Sequence, residues 1–170
     1  MPQWPYPQFN KMNSIEKIKT SPGKKYFDDL IDGEYLDCRT VTMTKDAILS
    51  FAKKFDPQPF HTDEELAEES IFKGLIASSL HTLSACTRVV VEALNDVAIL
   101  SGVGMDEVKM LNPVRPGDIL KVEAWWSNLR RSGRMLAGGF ATVKCKVTNQ
   151  NDEPVIEYGY RYLIGSDAKD

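Results

Sequence analysis

The sequence has too few cysteines, and too widely spaced, for a disulfide framework: Cys38, Cys86 and Cys145 are an odd number with no C-x-x-C pair. The same spacing offers no zinc site, and reduced thiols of a cytoplasmic protein are the expectation. No apolar run approaches the roughly 18 residues needed to cross a bilayer, and the opening MPQWPYPQFN has no apolar signal core, so a soluble intracellular protein with no membrane partner is expected. Positive charge is not in excess either. A net charge of −3 gives no general electrostatic reason to bind nucleic acid, although a local basic patch could still meet phosphates.

What is present suits a single globular domain: 170 residues, 42% hydrophobic and 26% charged. Residues 1–22 carry Pro2, Pro5, Pro7 and Pro22 among polar residues and read as an N-terminal arm. Its Trp4, Tyr6 and Phe9 would suit an arm lying across the domain or a neighbouring subunit. Residues 23–170 form the domain itself.

Within it, Glu34 to Met43 is rich in β-branched and aromatic residues and predicts a strand after the Asp32-Gly33 turn. Thr44 then has the form of a helix N-cap, with Ile48, Phe51, Ala52 and Phe55 at helical spacing behind it. Thr62, with Glu65 three residues on, predicts a capping box and a second short helix to about Ser70. The stretch FKGLIASSLHTLSACTRVVVEALND holds an apolar stripe at Ile76, Leu80, Leu83, Thr87, Val90 and Leu94. Ala77, Ala85, Cys86, Val89 and Ala93 widen it until only His81, Arg88 and Glu92 mark a polar edge, so a nearly enclosed helix is expected.

The second half alternates with period two. Ala141, Val143, Cys145 and Val147 interleave with polar residues, and Ile156, Tyr158, Tyr160, Tyr162 and Ile164 share one side of the strand after the turn at 149–152. Asp118 to Asn128 is a further strand, and Val97 to Met110 supplies one or two more. One broad apolar helix with antiparallel strands on both sides of it in sequence predicts an α+β hotdog fold, a curved antiparallel sheet wrapped around a long central helix.

The chemistry concentrates in FAKKFDPQPFHTDEE. Pro57 and Pro59 fix their own φ and push the preceding residues toward extended geometry, so the loop holding Asp56 and His61 is stiff. An acid and an imidazole held in such a loop can bind and activate one water, the requirement of general acid–base chemistry. His81 on the helix edge reads as structural, and the row Tyr158, Tyr160, Tyr162 as sheet packing or a subunit face.

The segments FAKKFDPQPFHTDEELAEESIFKGLIASSLHT, VKMLNPVRPGDILKVEAWW and NQNDEPV, in that order, resemble the MaoC-like dehydratases, which include the R-specific enoyl-CoA hydratases. The resemblance covers roughly residues 25 to 164. It implies that Asp56 and His61 are the catalytic pair, that a water adds to or leaves a 2-enoyl coenzyme A thioester, and that coenzyme A enters only as part of the substrate, with no metal or redox cofactor. It also implies a homodimer or a multiple of one. Ser78, Ser79 and Gln58 would contact the substrate or its oxyanion, Ser79 standing where the family commonly has Gly and Gln58 where it usually has Asn. A glycine conformation with positive φ would strain Ser79. Arg130, Arg131 and Arg134 read as a solvated hairpin tip that the phosphates of coenzyme A could meet. Thioester hydrolysis on the same fold, or acyl-thioester binding without turnover, are the alternative readings.

Overall fold

The computed structural model describes residues 24–132 and 138–167. The proposed arm at 1–22 and Arg134 lie outside them. A 3-10 turn at Phe27–Asp29 precedes two short strand pieces, β1 (Tyr35–Leu36) and β2 (Val41–Thr42). Helices α1 (Lys45–Phe55), α2 (Pro59–Thr62), α3 (Glu64–Glu69) and α4 (Ser79–Ala93) follow. The long strands β3 (Ile99–Met110), β4 (Ile119–Arg131), β5 (Gly138–Thr148) and β6 (Pro154–Gly165) complete the domain. The sheet runs β1-β4-β5-β6-β3 with β2 also on β4, and every strand pairing is antiparallel.

This is the hotdog arrangement, with α4 packed on one face of the sheet. The face is built by the expected alternation: Ala141, Val143, Cys145 and Val147 on β5 are buried, as are Val122, Ala124 and Trp126 on β4. Ile156, Tyr158, Tyr162 and Ile164 on β6 join the same core, to which α4 contributes Cys86, Val89 and Val90. Burial pushes the Cys86 and Cys145 thiols up to about 12, so both stay protonated and behave as small apolar groups. All three cysteines are free. Among the described residues no helix is long and apolar enough to cross a membrane.

Four local expectations need correction. The strand expected over Glu34 to Met43 is broken in two. Between the pairs Leu36↔Ala124 and Val41↔Leu120 the first strand advances five residues and its partner four, and the Cys38 N–H turns back onto the Leu36 carbonyl (3.0 Å). The N-cap after His61 is Asp63, not Thr62: the Asp63 side chain accepts from the N–H groups of Glu65 and Leu66, while the Thr62 hydroxyl donates to the Gln58 carbonyl. An aspartate in first position outcompetes the threonine before it because its carboxylate reaches two orphan donors at once. On α1, Ile48 and Ala52 are buried but Phe55 is 59% exposed.

The fourth correction concerns α4. It buries Thr82, Cys86, Val89 and Val90, but Leu80 and Val91 stand 53% and 49% exposed. The sheet covers only one side of the helix: Cys86 and Val89, which broaden the stripe, are buried in the core, whereas Leu80 and Val91 stand outside it.

Two capping interactions deliver the chain to the site. Thr44 caps α1 by accepting from the Ala47 N–H (3.2 Å), as its position implied. Ser78 caps α4 by accepting from the Leu80 N–H (3.2 Å). The turn before β4 is held by Gly117 at φ +92°, a left-handed conformation that suits glycine, and by the buried Asp118 carboxylate, which accepts from the Arg115 N–H.

Candidate active site

Asp56 is the C-cap of α1, where the backbone leaves the helix at φ −151°, ψ 70°. Its backbone N–H still bonds the Ala52 carbonyl (2.9 Å), so the carboxylate is fixed to the helix end. Gln58 adopts φ −73°, ψ 143°, the geometry imposed on a residue before proline, and Pro59 takes the first position of α2, where its missing N–H costs nothing. That single turn brings His61 back toward Asp56. The stiff loop inferred from the two prolines is therefore a helix end, a proline-fixed link and one helical turn.

The His61 ring is 5% exposed and its tautomer follows from geometry. Nδ1 lies 2.9 Å from the Ile76 carbonyl, which can only accept, so Nδ1 carries the hydrogen. In the neutral ring this leaves the lone pair on Nε2, which faces Asp56 Oδ2 at 3.6 Å. Phe60 packs edge-on to the imidazole with ring centres 4.5 Å apart and limits its rotation.

Each Asp56 oxygen has its own side-chain donor. Ser78 Oγ donates to Oδ2 (2.6 Å) and Gln58 Nε2 donates to Oδ1 (2.9 Å). These two hydrogen bonds, Ser78 first and then Gln58, hold the carboxyl below its ordinary value, with the nearby imidazole adding to the effect and desolvation opposing it. Because Ser78 is also the N-cap of α4, the partial positive charge of the helix end polarises its hydroxyl toward Asp56.

The sequence places Ser78 and Gln58 among substrate contacts, whereas here their donors serve Asp56. Ser78 is fully buried. Ser79, the first residue of α4, is exposed on the cavity side and lies in ordinary right-handed helix, since the positive-φ residues among those described are elsewhere. The strain anticipated for a non-glycine residue at this position does not arise.

The group faces a cavity of about 470 Å³ whose wall includes Asp56, Gln58, His61 and Ser79. Further wall residues come from Thr82 on α4, from the segment Met110 to Val114, and from Val155 and Ile156 on β6. Thr82 was within reach of sequence reasoning, because it sits one helical turn beyond Ser78 and hence on the same face. Val155 and Ile156 carry no local signal; only strand pairing brings them here.

Other candidates lie apart. Arg130 and Arg131 sit at the far end of β4: Ile156 pairs with Val147, Val147 with Val122, and Arg131 is nine residues further along, roughly 30 Å at strand spacing. There Arg131 pairs with Asp28, and Arg130 lies over the Phe140 ring. Within one chain the structure does not bring this pair to the cavity. His81 stacks on Phe51 with ring centres 4.8 Å apart, outside the cavity wall, and burial lowers its pKa so that it stays neutral. Among the described residues no three His, Cys, Asp or Glu side chains are grouped to hold a metal ion.

A lowered carboxyl pKa is linked to stability. The ionised Asp56 contributes stability above the ordinary carboxylate value, 3.8, and that contribution is lost as pH falls through its lower folded value. Ser78→Ala removes the larger cause and is expected to raise the Asp56 pKa more than Gln58→Leu does, as read by carbon NMR titration of labelled aspartate. It also removes the α4 cap, at about 1 kcal/mol of stability. An unchanged titration in Ser78→Ala would show that the serine does not set the charge state of Asp56.

With this geometry defined, the class of protein follows from comparison. The family described as MaoC like domain matches residues 27–149, and the chain belongs to it. The chain is 32% identical over 140 residues to the uncharacterized protein YdeM of Bacillus subtilis, spanning 81% of this chain and 96% of that one. The crystal structure of a MaoC-like dehydratase from Rhodospirillum rubrum is 34% identical with a TM-score of 0.77, covering 84% of this chain and 97% of that one. The R-hydratase PhaJ1 of Pseudomonas aeruginosa, at 20% identity, shares the fold with a TM-score of 0.69 over 83% of this chain and 86% of that one. Family membership and the 34% identical dehydratase structure support a dehydratase-type protein, while the likeness to PhaJ1 shows the shared fold.

Proposed function

We propose that this protein adds water to, or removes it from, a 2-enoyl-CoA-type thioester, using Asp56 and His61 to hold and deprotonate the water. The observation that carries the reading is the 3.6 Å gap between Oδ2 of Asp56 and Nε2 of His61 at the cavity wall. With Nδ1–H committed to Ile76, both atoms are acceptors, and one water can donate an O–H to each while its oxygen lone pair points outward. Asp56 has lone pairs left for this, since among the described residues each of its oxygens accepts one side-chain hydrogen bond.

In hydration the water oxygen bonds to the β-carbon, and the double-bond electrons move through the α-carbon onto the thioester oxygen. The pair takes a proton from the water and returns one to the α-carbon, so hydrogen and hydroxyl are added with no net change in the protein. The N–H of Ser79, the first of α4, has no partner within the helix and suits the enolate oxygen, while that of Leu80 is taken by Ser78. Dehydration is the reverse. The reaction needs only these groups, with coenzyme A as part of the substrate and no metal or redox cofactor.

The test is incubation with crotonyl-CoA. Loss of enoyl absorbance with formation of 3-hydroxybutyryl-CoA is expected; release of free thiol would identify a thioesterase instead, and binding without turnover a non-catalytic acyl-thioester binder. Three free cysteines fit the cytoplasmic location that belongs to this proposal.

A homodimer belongs to the same proposal. Among the described residues β3 pairs only with β6 and leaves its other edge open, and the exposed Leu80 and Val91 lie on the uncovered side of α4. Pairing two β3 edges would satisfy the open backbone groups. Light scattering at micromolar concentration should give twice the monomer mass, and a monomer would refute the pairing.

A further inference from the structure

The His61 ring is oriented by the hydrogen bond from Nδ1 to the Ile76 carbonyl and by the edge-on packing of Phe60. The backbone of Phe60 is held, its carbonyl accepting from the Ile76 N–H (3.2 Å). Its ring is only partly buried, and its other aromatic neighbour is Phe72, with ring centres 5.1 Å apart. Phe72 belongs to no helix or strand. It sits in the segment 70–74 between the end of α3 and the buried Leu75, with exposed Ile71 before it and exposed Lys73 after it.

Local bonds fix only part of this segment. The Phe72 N–H donates to Ser70 Oγ (3.1 Å), the Lys73 N–H to the Ser70 carbonyl (3.2 Å) and the Gly74 N–H to the Ala67 carbonyl (3.1 Å). Lys73 at φ +51° and Gly74 at φ +134° both have positive φ, which for lysine persists where the surroundings impose it. The Phe72 carbonyl is reached from 43 residues along the chain: Arg115 Nη2 donates to it (2.6 Å), the one side-chain hydrogen bond of Arg115 among the described residues. The guanidinium also lies over Gly74, where an added Cβ would meet Nη1 at 3.1 Å. Arg115 itself stands on a fixed turn. Its N–H donates to the buried Asp118 carboxylate (2.7 Å), whose other oxygen takes the Gln150 amide (2.9 Å), and the neighbouring Val114 carbonyl takes the Ala77 N–H (2.8 Å) next to Ser78.

We propose that Arg115 is a positioning residue of the active site: by holding the Phe72 carbonyl it seats the Phe72 ring against Phe60, and Phe60 then limits the imidazole that faces Asp56. The proposal rests on the Asp56 and His61 reading above and adds to it a residue that lies outside the cavity wall. Without this latch His61 keeps its Nδ1 bond to Ile76, so the ring is retained. What loosens is its rotation, and with it the alignment of Nε2 and Oδ2 across the 3.6 Å gap. The chemical step is more sensitive to such misalignment than substrate binding is, because it alone needs the water held by both acceptors at once.

The chain has two histidines, so proton NMR separates His61 from His81 and follows the site without any substrate. Arg115→Met keeps the stem and removes the donors. It should shift the His61 ring signals and leave those of His81, which stacks on Phe51, in place. Arg115→Lys, which keeps a donor, should return the signals toward their original positions. In Phe72→Leu, where the ring contact with Phe60 is already lost, adding Arg115→Met should move the His61 signals no further. Unmoved His61 signals in Arg115→Met, or changes that simply add in the double variant, would overturn the proposal. With crotonyl-CoA, Arg115→Met should lower kcat about tenfold and alter KM less. A loss confined to KM would make Arg115 a substrate contact and overturn the positioning role. The reaction is tested separately: shifted His61 signals in a protein that hydrates no crotonyl-CoA refute the hydratase reading and leave the positioning of the ring standing.

Discussion

Asp56→Asn is expected to slow hydration of crotonyl-CoA by at least about a hundredfold with the fold intact, because a positioned acid or base contributes on the order of 10²–10⁴. The substitution conserves shape but removes the negative charge and turns one acceptor oxygen into a donor nitrogen. Whichever way the amide lies, either Ser78 or Gln58 then faces a donor with its own donor. Gln58 is exposed and can turn to water, so the amide should settle with its oxygen on Ser78 and its nitrogen toward Gln58, leaving the α4 cap in place. His61→Ala should cost activity to the same degree. It also strips the Ile76 carbonyl of its donor, at about 1–3 kcal/mol for a buried unsatisfied group, so the circular dichroism of this variant must accompany its rate. His61→Gln, which keeps a donor, gives a second variant less exposed to that loss. Near-wild-type turnover in a folded Asp56→Asn or His61→Gln would remove that residue from the mechanism.

The parts of this site that were legible in the sequence are those in which a residue dictates its own backbone. Prolines 57 and 59 fix the link between two helices, Thr44 fixes where the first begins, and the period-two pattern of β5 and β6 fixes which face is buried. Asp56 and His61 could be paired on that basis. What could not be read depends on atoms contributed from far along the chain. The tautomer of His61 is set by the carbonyl of Ile76, fifteen residues on, and a carbonyl has no sequence signature. The target of the Gln58 amide is decided by three rotatable bonds and a neighbour two residues back, which is why a substrate contact and a carboxylate clamp look alike in one dimension. The breadth of the α4 stripe indicates how much apolar surface the helix carries but not how much of it a single sheet can reach. Leu80 and Val91 show the difference.

Ser79→Pro is expected to abolish turnover while leaving a folded protein, and its local geometry makes this a clean deletion of one donor. Ser79 is the first residue of α4, a position where proline is favoured because the N–H it lacks has no carbonyl partner within the helix. The residue before a proline must avoid helical geometry, and Ser78 already sits at φ −56°, ψ 138°, inside the range allowed to it. The Ser78 hydroxyl can therefore keep both its bond from the Leu80 N–H and its bond to Asp56, so the ionised carboxylate and the helix cap survive. What disappears is the N–H proposed to receive charge from the thioester oxygen, and loss of one such donor typically costs on the order of 10²–10³ in rate. Ser79→Gly retains that N–H. Since the residue has no left-handed strain for glycine to relieve, this variant should keep activity near that of the unchanged protein and gain no stability. The two variants together separate backbone from side chain. A strong loss in Ser79→Gly would mean that the hydroxyl carries the function, whereas normal turnover in a folded Ser79→Pro would place the oxyanion donor elsewhere.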